Sequence, residues 1–466
     1  MRADSGPYRA GDIVAACAGT LLTGDADALF TGISTDSRDI RPNDLFVPLR
    51  GPNFDGHNFL FPALEAGARG SLLDRDINRD YPLRPTSFVL IQVKDTLQAL
   101  SNLASAYRKT YPIPLIAVTG SSGKTTVKEM IATVLTRSHC PLISLGNLNN
   151  TIGLPMTVLT MNARHTVAVV EAGINMLGEM DLLAAAASPD VAVITTVGPA
   201  HLEGLGSVET VATEKFKLVR ALSEQGIAVL PADNPYLEPL ISCCSCRLIR
   251  FGIDNGDFQA REIRERDITT FRMCTPAGER MVRLFVPGRH NITNGLAAAA
   301  ACMAVGVSLD DVVWGLEQFR APSWRMETVS LPGGRLLLRD CYNANPLSMK
   351  AALEVLMSRG RRPTLAMLGD MLELGSQAEA LHREVGREAA RLAVDNVVFV
   401  GRFGHAFAQG FRDAGGNPES LTLTFDKDAA WAAIADQIGD FAVILVKGSR
   451  SMNMEVLASR IGEKEY

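Results

Sequence analysis

The stretch Thr119-Gly120-Ser121-Ser122-Gly123-Lys124-Thr125-Thr126 decides how the middle of this chain folds. Before it, Pro114-Leu115-Ile116-Ala117-Val118 is an apolar run of the kind that forms a buried strand. After it, Val127, Met130, Ile131, Val134 and Leu135 recur at helical spacing and make one apolar face. Strand, glycine loop and helix N-terminus together aim backbone N–H groups and a helix dipole at one point, which suits a nucleotide phosphate. Lys124 is placed to reach the outer phosphates, and the Thr125 hydroxyl to take a position on Mg²⁺. The full phosphate-loop pattern has a glycine where this chain has Val118, so an ordinary glycine-rich turn is the competing reading.

Outward from this loop, the chain of 466 residues is too long for one core and implies several domains. Hydrophobic content of 47% and charged content of 21% describe an ordinary globular protein. The net charge of −5, with no long basic run, argues against nucleic acid or an anionic membrane as the main partner. No stretch approaches the roughly 18 to 20 apolar residues of a membrane helix, and the start of the chain lacks the charged region of a signal peptide. A cytoplasmic protein is expected. The eight cysteines agree, because most are scattered singly. Cys243, Cys244 and Cys246 include a C-x-x-C, but no second pair follows at zinc-site spacing.

Three blocks are expected. Residues 1–111 are rich in short strands and turns, such as Arg41-Pro42-Asn43-Asp44. Residues 112–321 alternate strands (Thr166 to Val170, Val191 to Thr195) with helices, which predicts a parallel sheet wrapped by helices. Residues 322–466 alternate again, with strands at Arg335 to Leu338, Thr364 to Met367, Asn396 to Val400 and Phe441 to Val446 and a helix at Ala378 to Leu392. That is a second, smaller doubly wound unit. The fold class is α/β in three domains, with the active site in a cleft between them.

Three further residues stand out. Glu171 ends a strand where a carboxylate suits Mg²⁺, although strand-end turns also favour such residues. His201 follows the next strand in the loop Gly198-Pro199-Ala200-His201, where a structural role is the commoner one. Lys215 lies in the middle of the apolar face made by Val208, Val211, Ala212, Val219 and Leu222, while Lys217 points the opposite way. A lysine buried there tends to lose its proton, and a neutral amine can take up CO₂ as a carbamate that binds metal. The alternative is a snorkelling side chain at the edge of the face.

With these residues in order, the chain resembles the Mur ligases of peptidoglycan synthesis. The resemblance rests on the phosphate loop, Glu171-Ala172-Gly173, Ala200-His201-Leu202 and Arg289-His290-Asn291-Ile292-Thr293-Asn294, and it covers nearly the whole chain. It implies a nucleotide-sugar-binding N-terminal domain, a central P-loop ATPase-like domain and a Rossmann-like C-terminal domain. The family's phosphate loop has the same shortened form, and Lys215 falls on its carbamylated-lysine position.

Within the family, Ser34-Thr35-Asp36-Ser37-Arg38, Leu45-Phe46-Val47-Pro48-Leu49 and Asp55-Gly56-His57 resemble the last two ligases of the pathway. Asp340-Cys341-Tyr342-Asn343-Ala344-Asn345-Pro346 and Leu368-Gly369-Asp370-Met371-Leu372-Glu373-Leu374-Gly375 resemble the final one, which joins D-alanyl-D-alanine to UDP-N-acetylmuramoyl-tripeptide. The Asp-Asn-Pro-Arg motif of diaminopimelate-adding ligases is represented only by Asp233-Asn234-Pro235-Tyr236, in the wrong domain.

The resemblance implies ATP and two Mg²⁺ ions, with Lys124, His201 and Lys215 catalytic and Thr125, Glu171, His201 and Lys215 as metal ligands. ATP would contact Gly120 through Thr126, Asn291, Asn294, Arg325 and Asp340. Substrate residues would be Thr35, Asp36, Ser37 and Arg38 near the uridine diphosphate, and Asn147, Asn149, Asn150 and Thr151 in a middle-domain loop. Asn343, Asn345, Pro346, Lys447, Ser449 and Arg450 would lie at the D-alanyl-D-alanine end. A monomer is expected. Rival readings are the preceding ligase of the pathway, a folylpolyglutamate synthetase, a nucleotide-driven switch or assembly ATPase, and a scaffold homologue.

Overall fold

The computed structural model describes residues 2–51, 53–75, 88–242, 244–265 and 268–464. Cys243 lies outside the described residues, so the C-x-x-C has no structural account. The chain forms three α/β domains, each built on a six-stranded sheet.

The N-terminal sheet runs, in spatial order, Arg2–Ala3, Gly32–Ser34, Asp44–Phe46, Gly70–Leu73, Val89–Gln92 and Thr20–Thr23. Its inner pairings are parallel and its two edge pairings antiparallel. The helix Thr96–Lys109 follows, with the Asp95 side chain accepting from the Gln98 N–H as its N-cap. It rests on the middle domain: Tyr107 Oη donates to the Met161 carbonyl at 2.9 Å, and Ser101 Oγ to that of Leu182 at 2.7 Å.

The middle sheet is entirely parallel, in the order Pro141–Ile143, Val167–Glu171, Leu115–Thr119, Val191–Ile194, Ile227–Pro231 and Arg247–Phe251. The strand first in sequence lies inside the sheet, and the chain builds first to one side of it and then to the other. A crevice therefore opens at its carboxyl end, where the phosphate loop begins. Leu115 through Val118 are fully buried because both faces are covered. Ile116 and Val118 pack with Met130, Val134 and Ala297, from the helices Lys124–Leu135 and Arg289–Ala304. Leu115 and Ala117 pack on the other face with Leu183 and Val211, from Glu179–Ala187 and Val208–Arg220.

This domain also carries a three-stranded antiparallel sheet, Gln259–Glu265, Thr269–Thr275 and Gly278–Leu284, which the parallel-sheet expectation did not include. Its signal is the alternation of buried Thr269, Phe271 and Met273, a two-residue period.

The C-terminal sheet has the order Glu327–Leu331, Arg335–Asp340, Val443–Lys447, Thr364–Gly369, Asn396–Val400 and Leu421–Thr424. Only the first pair is antiparallel. Two strands run further than their apolar runs predict, to Asp340 and Lys447, because those polar ends pair with each other. The middle and C-terminal domains are in contact. A Cβ on Gly198 would lie 2.4 Å from Leu347 Cδ1, so the two domains touch at this point.

Candidate functional site

A cavity of about 470 Å³ lies between the middle and C-terminal domains. The phosphate loop forms one wall, and Gly123 opens the helix Lys124–Leu135 in the left-handed region, φ +82°. Neither loop glycine tolerates a side chain: a Cβ at Gly120 would sit 2.0 Å from Thr195 Oγ1, and one at Gly123 2.5 Å from Asn294 Oδ1. The loop is pinned from the neighbouring strand, since Ser121 N–H donates to the Thr196 carbonyl at 2.8 Å. Lys124 Nζ donates to the Gly120 carbonyl at 2.8 Å. Burial holds the pKa of Lys124 below lysine's usual value.

Glu171 arrives at the end of its strand, 2% exposed. Thr125 Oγ1 donates to its Oε2 at 2.7 Å, and Asn149 Nδ2 to its Oε1 at 2.8 Å. Its N–H donates to Ser144 Oγ at 3.0 Å, and the Ser144 carbonyl accepts from Lys128 Nζ at 2.7 Å. Lys128 is fully buried and also pairs with Glu129 at 2.6 Å. Sequence reading missed Lys128, because an adjacent Lys-Glu pair on a helix looks like a solvated surface.

Lys215 is fully buried, and its Nζ has no hydrogen-bond partner. Burial, and then the neighbouring charge of Lys124, push its pKa well below 10.5, with Glu171 opposing. Snorkelling is therefore excluded. Lys217, on the opposite face, instead pairs with Asp181 at 2.8 Å and Glu214 at 2.7 Å. Lys215 does not itself line the cavity, but the charges of Lys124 and Glu171, which do line it, act on its amine.

His201 sits at φ +53° between its strand and the short helix Leu202–Leu205. Its Nδ1 lies 2.6 Å from Oε2 of Glu373, a C-terminal-domain residue. Burial lowers the pKa of His201, opposed by the hydrogen bond to Glu373 and helped by the charge of Lys124. Glu373 belongs to a stretch read only for its resemblance, and no role was expected of it.

The opposite wall is C-terminal. The Arg325 guanidinium carbon stands 3.8 Å from the centre of the Tyr342 ring. Asp340 accepts from Met326 N–H at 3.0 Å and from Lys447 Nζ at 2.6 Å, and Lys447 also donates to the Asn343 carbonyl at 2.9 Å. Asn294 Nδ2 donates to Asn291 Oδ1 at 3.1 Å, and both line the cavity. His290, beside them on the middle-domain helix Arg289–Ala304, also lines the cavity, its pKa lowered by burial to about 4.

The structure gathers Ser121 to Thr126, Asn149, Asn150, Glu171, His201, Asn291, Asn294, Arg325, Asp340, Asn343, Asn345 and Lys447 around one cavity. Gly120, Asn147, Thr151, Pro346, Ser449 and Arg450 are not on its wall. Ser449 Oγ is already committed to the Leu372 N–H at 2.9 Å, and Arg450 pairs with Glu455 at 2.9 Å. Thr35, Asp36, Ser37 and Arg38 lie apart from the cavity, in the N-terminal domain. There the Asp36 carboxylate holds the Arg38 guanidinium at 2.9 and 2.8 Å. Asn234, of the partial Asp-Asn-Pro-Arg echo, donates to the Val197 carbonyl at 2.9 Å.

Residues 29–108 match the catalytic domain of the Mur ligase family, 118–302 the Mur ligase middle domain, and 324–450 the Mur ligase glutamate ligase domain. The UDP-N-acetylmuramoyl-tripeptide--D-alanyl-D-alanine ligase of Escherichia coli is 39% identical over 94% of this chain and 95% of its own length. That of Bacillus subtilis is 36% identical over 93% of each. The crystal structure of MurF from Acinetobacter baumannii aligns with a TM-score of 0.89 at 33% identity, over 99% of this chain and 100% of that one. MurF ligase from Thermotoga maritima in complex with ADP aligns at 0.82 and 25% identity, over 93% and 97%. Matched by three family models and by relatives over more than nine-tenths of its length, this chain belongs to the Mur ligase family.

Proposed function

We propose that this chain is an ATP-dependent ligase that forms the amide bond between UDP-N-acetylmuramoyl-tripeptide and D-alanyl-D-alanine. The observation that carries the reading is the cavity itself: a phosphate loop, Glu171 and His201 face Arg325 and Asp340 across a domain boundary. Relatives of that printed name align over more than nine-tenths of the chain.

The tripeptide's terminal carboxylate attacks the γ-phosphorus of ATP, the bond to the β-phosphate oxygen breaks, and ADP leaves an acyl phosphate. The amine of D-alanyl-D-alanine then adds to the acyl carbon, and phosphate departs as the amide forms. Two anions meet in the first step, so the chain must concentrate positive charge there. Lys124 exchanges the Gly120 carbonyl for phosphate oxygens, which favour its charged form. Arg325, braced on Tyr342, faces the same oxygens from the other domain. Asp340 takes the ribose, and Asn291 and Asn294 the adenine. Ordered donors replace water at no reorganisation cost.

The residues fit Mg²⁺ at two positions. Among the described residues no group of three His, Cys, Asp or Glu side chains stands ready to hold a metal. The unpartnered Lys215 amine, whose pKa burial depresses, would answer this, since a carbamate on Nζ would supply two further oxygens. Thr125 and Glu171 would hold one ion, His201 and carbamylated Lys215 the other. When bound, Mg²⁺ screens phosphate and carboxylate charge.

Residues 1–111 are assigned to the nucleotide sugar, with Thr35, Asp36, Ser37 and Arg38 toward the uridine diphosphate. Residues 112–321 take ATP, with Asn147, Asn149, Asn150 and Thr151 toward the peptide. Residues 322–466 carry the dipeptide site, where Asn343, Asn345 and Lys447 reach the cavity and Pro346, Ser449 and Arg450 support it from behind. The cavity is lined by residues of one chain, which supports a monomer, and the substrates assigned here support a cytoplasmic location. No described helix is long and apolar enough to cross a membrane.

The test is phosphate release from ATP with the UDP-linked tripeptide, adding D-alanyl-D-alanine in one tube and L-lysine or diaminopimelate in another. Release confined to the dipeptide tube is expected. Release with lysine or diaminopimelate would assign the preceding reaction, and release needing no amine would leave an ATPase.

A further inference from the structure

The contact between Glu373 and His201 joins residues 172 apart in sequence and crosses the domain boundary. It is one of three contacts between the same two turns. Glu203 N–H donates to the Glu373 carbonyl at 3.0 Å. Gly375, at φ +56°, would carry a Cβ only 3.2 Å from Glu203 Cα, so the turns meet backbone to backbone. Glu373 itself stands at φ +62°, an uncommon conformation for a side-chain-bearing residue.

The loop that presents Glu373 is anchored within its own domain. Asp370 accepts from the N–H groups of Arg402 at 3.0 Å and Phe403 at 3.1 Å. Met371 N–H donates to His382 Nε2 at 2.9 Å, and Leu372 N–H to Ser449 Oγ at 2.9 Å. His382 is fully buried and donates from Nδ1 to the Ala378 carbonyl at 2.7 Å. An exposed pair held only by two flexible side chains is worth little. Here both backbones are positioned before the side chains meet.

A carboxylate on one imidazole nitrogen decides which nitrogen carries the proton. We propose that Glu373 is a positioning residue: docking of the C-terminal domain places its carboxylate on His201 Nδ1–H and leaves the Nε2 lone pair directed into the cavity as a cation ligand. The cation site of the middle domain is therefore finished only by the third domain, which ties ion binding to domain closure. The inference rests on the reading of His201 as a cation ligand, and it adds Glu373 to that reading.

The experiment uses the full chain with ¹⁵N-labelled histidine, loaded with ADP and the UDP-linked tripeptide and free of metal. Ring-nitrogen chemical shifts report the His201 tautomer. Wild type and Glu373→Gln, whose amide oxygen still accepts, should show Nδ1–H. Glu373→Ala should lose that preference. In ligation assays, Glu373→Ala should raise the Mg²⁺ concentration for half-maximal rate by about tenfold. The KM for the UDP-linked tripeptide should not change.

An unchanged tautomer in Glu373→Ala, or an unchanged Mg²⁺ requirement, overturns the proposal. So does an equal rise in Mg²⁺ requirement in Leu347→Ala, a variant that loosens the same interface at Gly198 without touching His201, because Glu373 would then be only a clamp. Failure of wild type to use D-alanyl-D-alanine would refute the ligase assignment instead. The tautomer result would still stand or fall by itself.

Discussion

Asn345 of the C-terminal domain donates from Nδ2 to the carbonyl of Ser121 in the phosphate loop, at 3.0 Å. The same amide accepts at Oδ1 from the Ser348 N–H at 2.9 Å, capping the helix Pro346–Ser358 in a capping box. One side chain thus orders a helix start in one domain and reads the phosphate loop of another.

Separating those two roles gives the first prediction. Asn345→Asp keeps a good cap but removes the donor and sets a carboxylate against the Ser121 carbonyl. Its melting temperature should match wild type while kcat falls by about tenfold, the equivalent of one lost hydrogen bond of ~1.4 kcal/mol. Asn345→Ala should add a loss of about 1 kcal/mol in stability. Thermal melts beside steady-state kinetics distinguish the two.

Lys215 should oppose stability in the service of activity. A lysine whose folded pKa is depressed binds its proton mainly in the unfolded chain, so below 10.5 its burial favours unfolding. Lys215→Met should therefore melt a few degrees higher, about 2–4 °C for each kcal/mol relieved, with ligation nearly abolished. Lys215→Ala should regain part of the activity when short carboxylic acids replace the missing carbamate. Full activity in either variant would remove Lys215 from the site.

Lys128 should matter through Ser144 and Glu171. Lys128→Met strands the buried Ser144 carbonyl and the Glu129 carboxylate, at a cost of about 1–3 kcal/mol in urea unfolding. The Mg²⁺ requirement should rise as well, because Ser144 Oγ holds the Glu171 backbone. A stability loss with an unchanged Mg²⁺ requirement would make Lys128 structural only.

His290 should impose acid sensitivity. Its folded pKa of about 4 lies below the ordinary 6.5, so the unfolded chain takes up the proton first. This contribution to stability is full above pH 6.5, declines as pH falls and is spent near pH 4. Melting temperatures of His290→Asn should fall less than wild type's between these limits, and parallel curves would contradict the assignment.

Much of this was legible in the chain. The apolar run through Val118, the two glycines and the helical spacing after Lys124 specify a strand, loop and helix whatever the rest does. The position of Lys215 on an apolar face correctly predicted a buried amine, because helical period and burial are one geometric fact. Lys128 was missed on the same kind of helix, since its neighbours Val127 and Glu129 leave its face ambiguous until the strand Pro141–Ile143 packs beside it.

By itself the sequence determined the main strands and helices of the middle and C-terminal domains, the largely parallel character of their sheets, the phosphate loop and the family. These follow from local periods and from motifs contiguous in the chain. Tertiary structure alone decided that Asn345 meets Ser121, that Glu373 meets His201 and that Ser449 turns inward to Leu372. Those pairs lie 224, 172 and 77 residues apart. Periodicity records which face of an element is buried. It does not record what another domain brings against that face, which depends on how the docked domains fit.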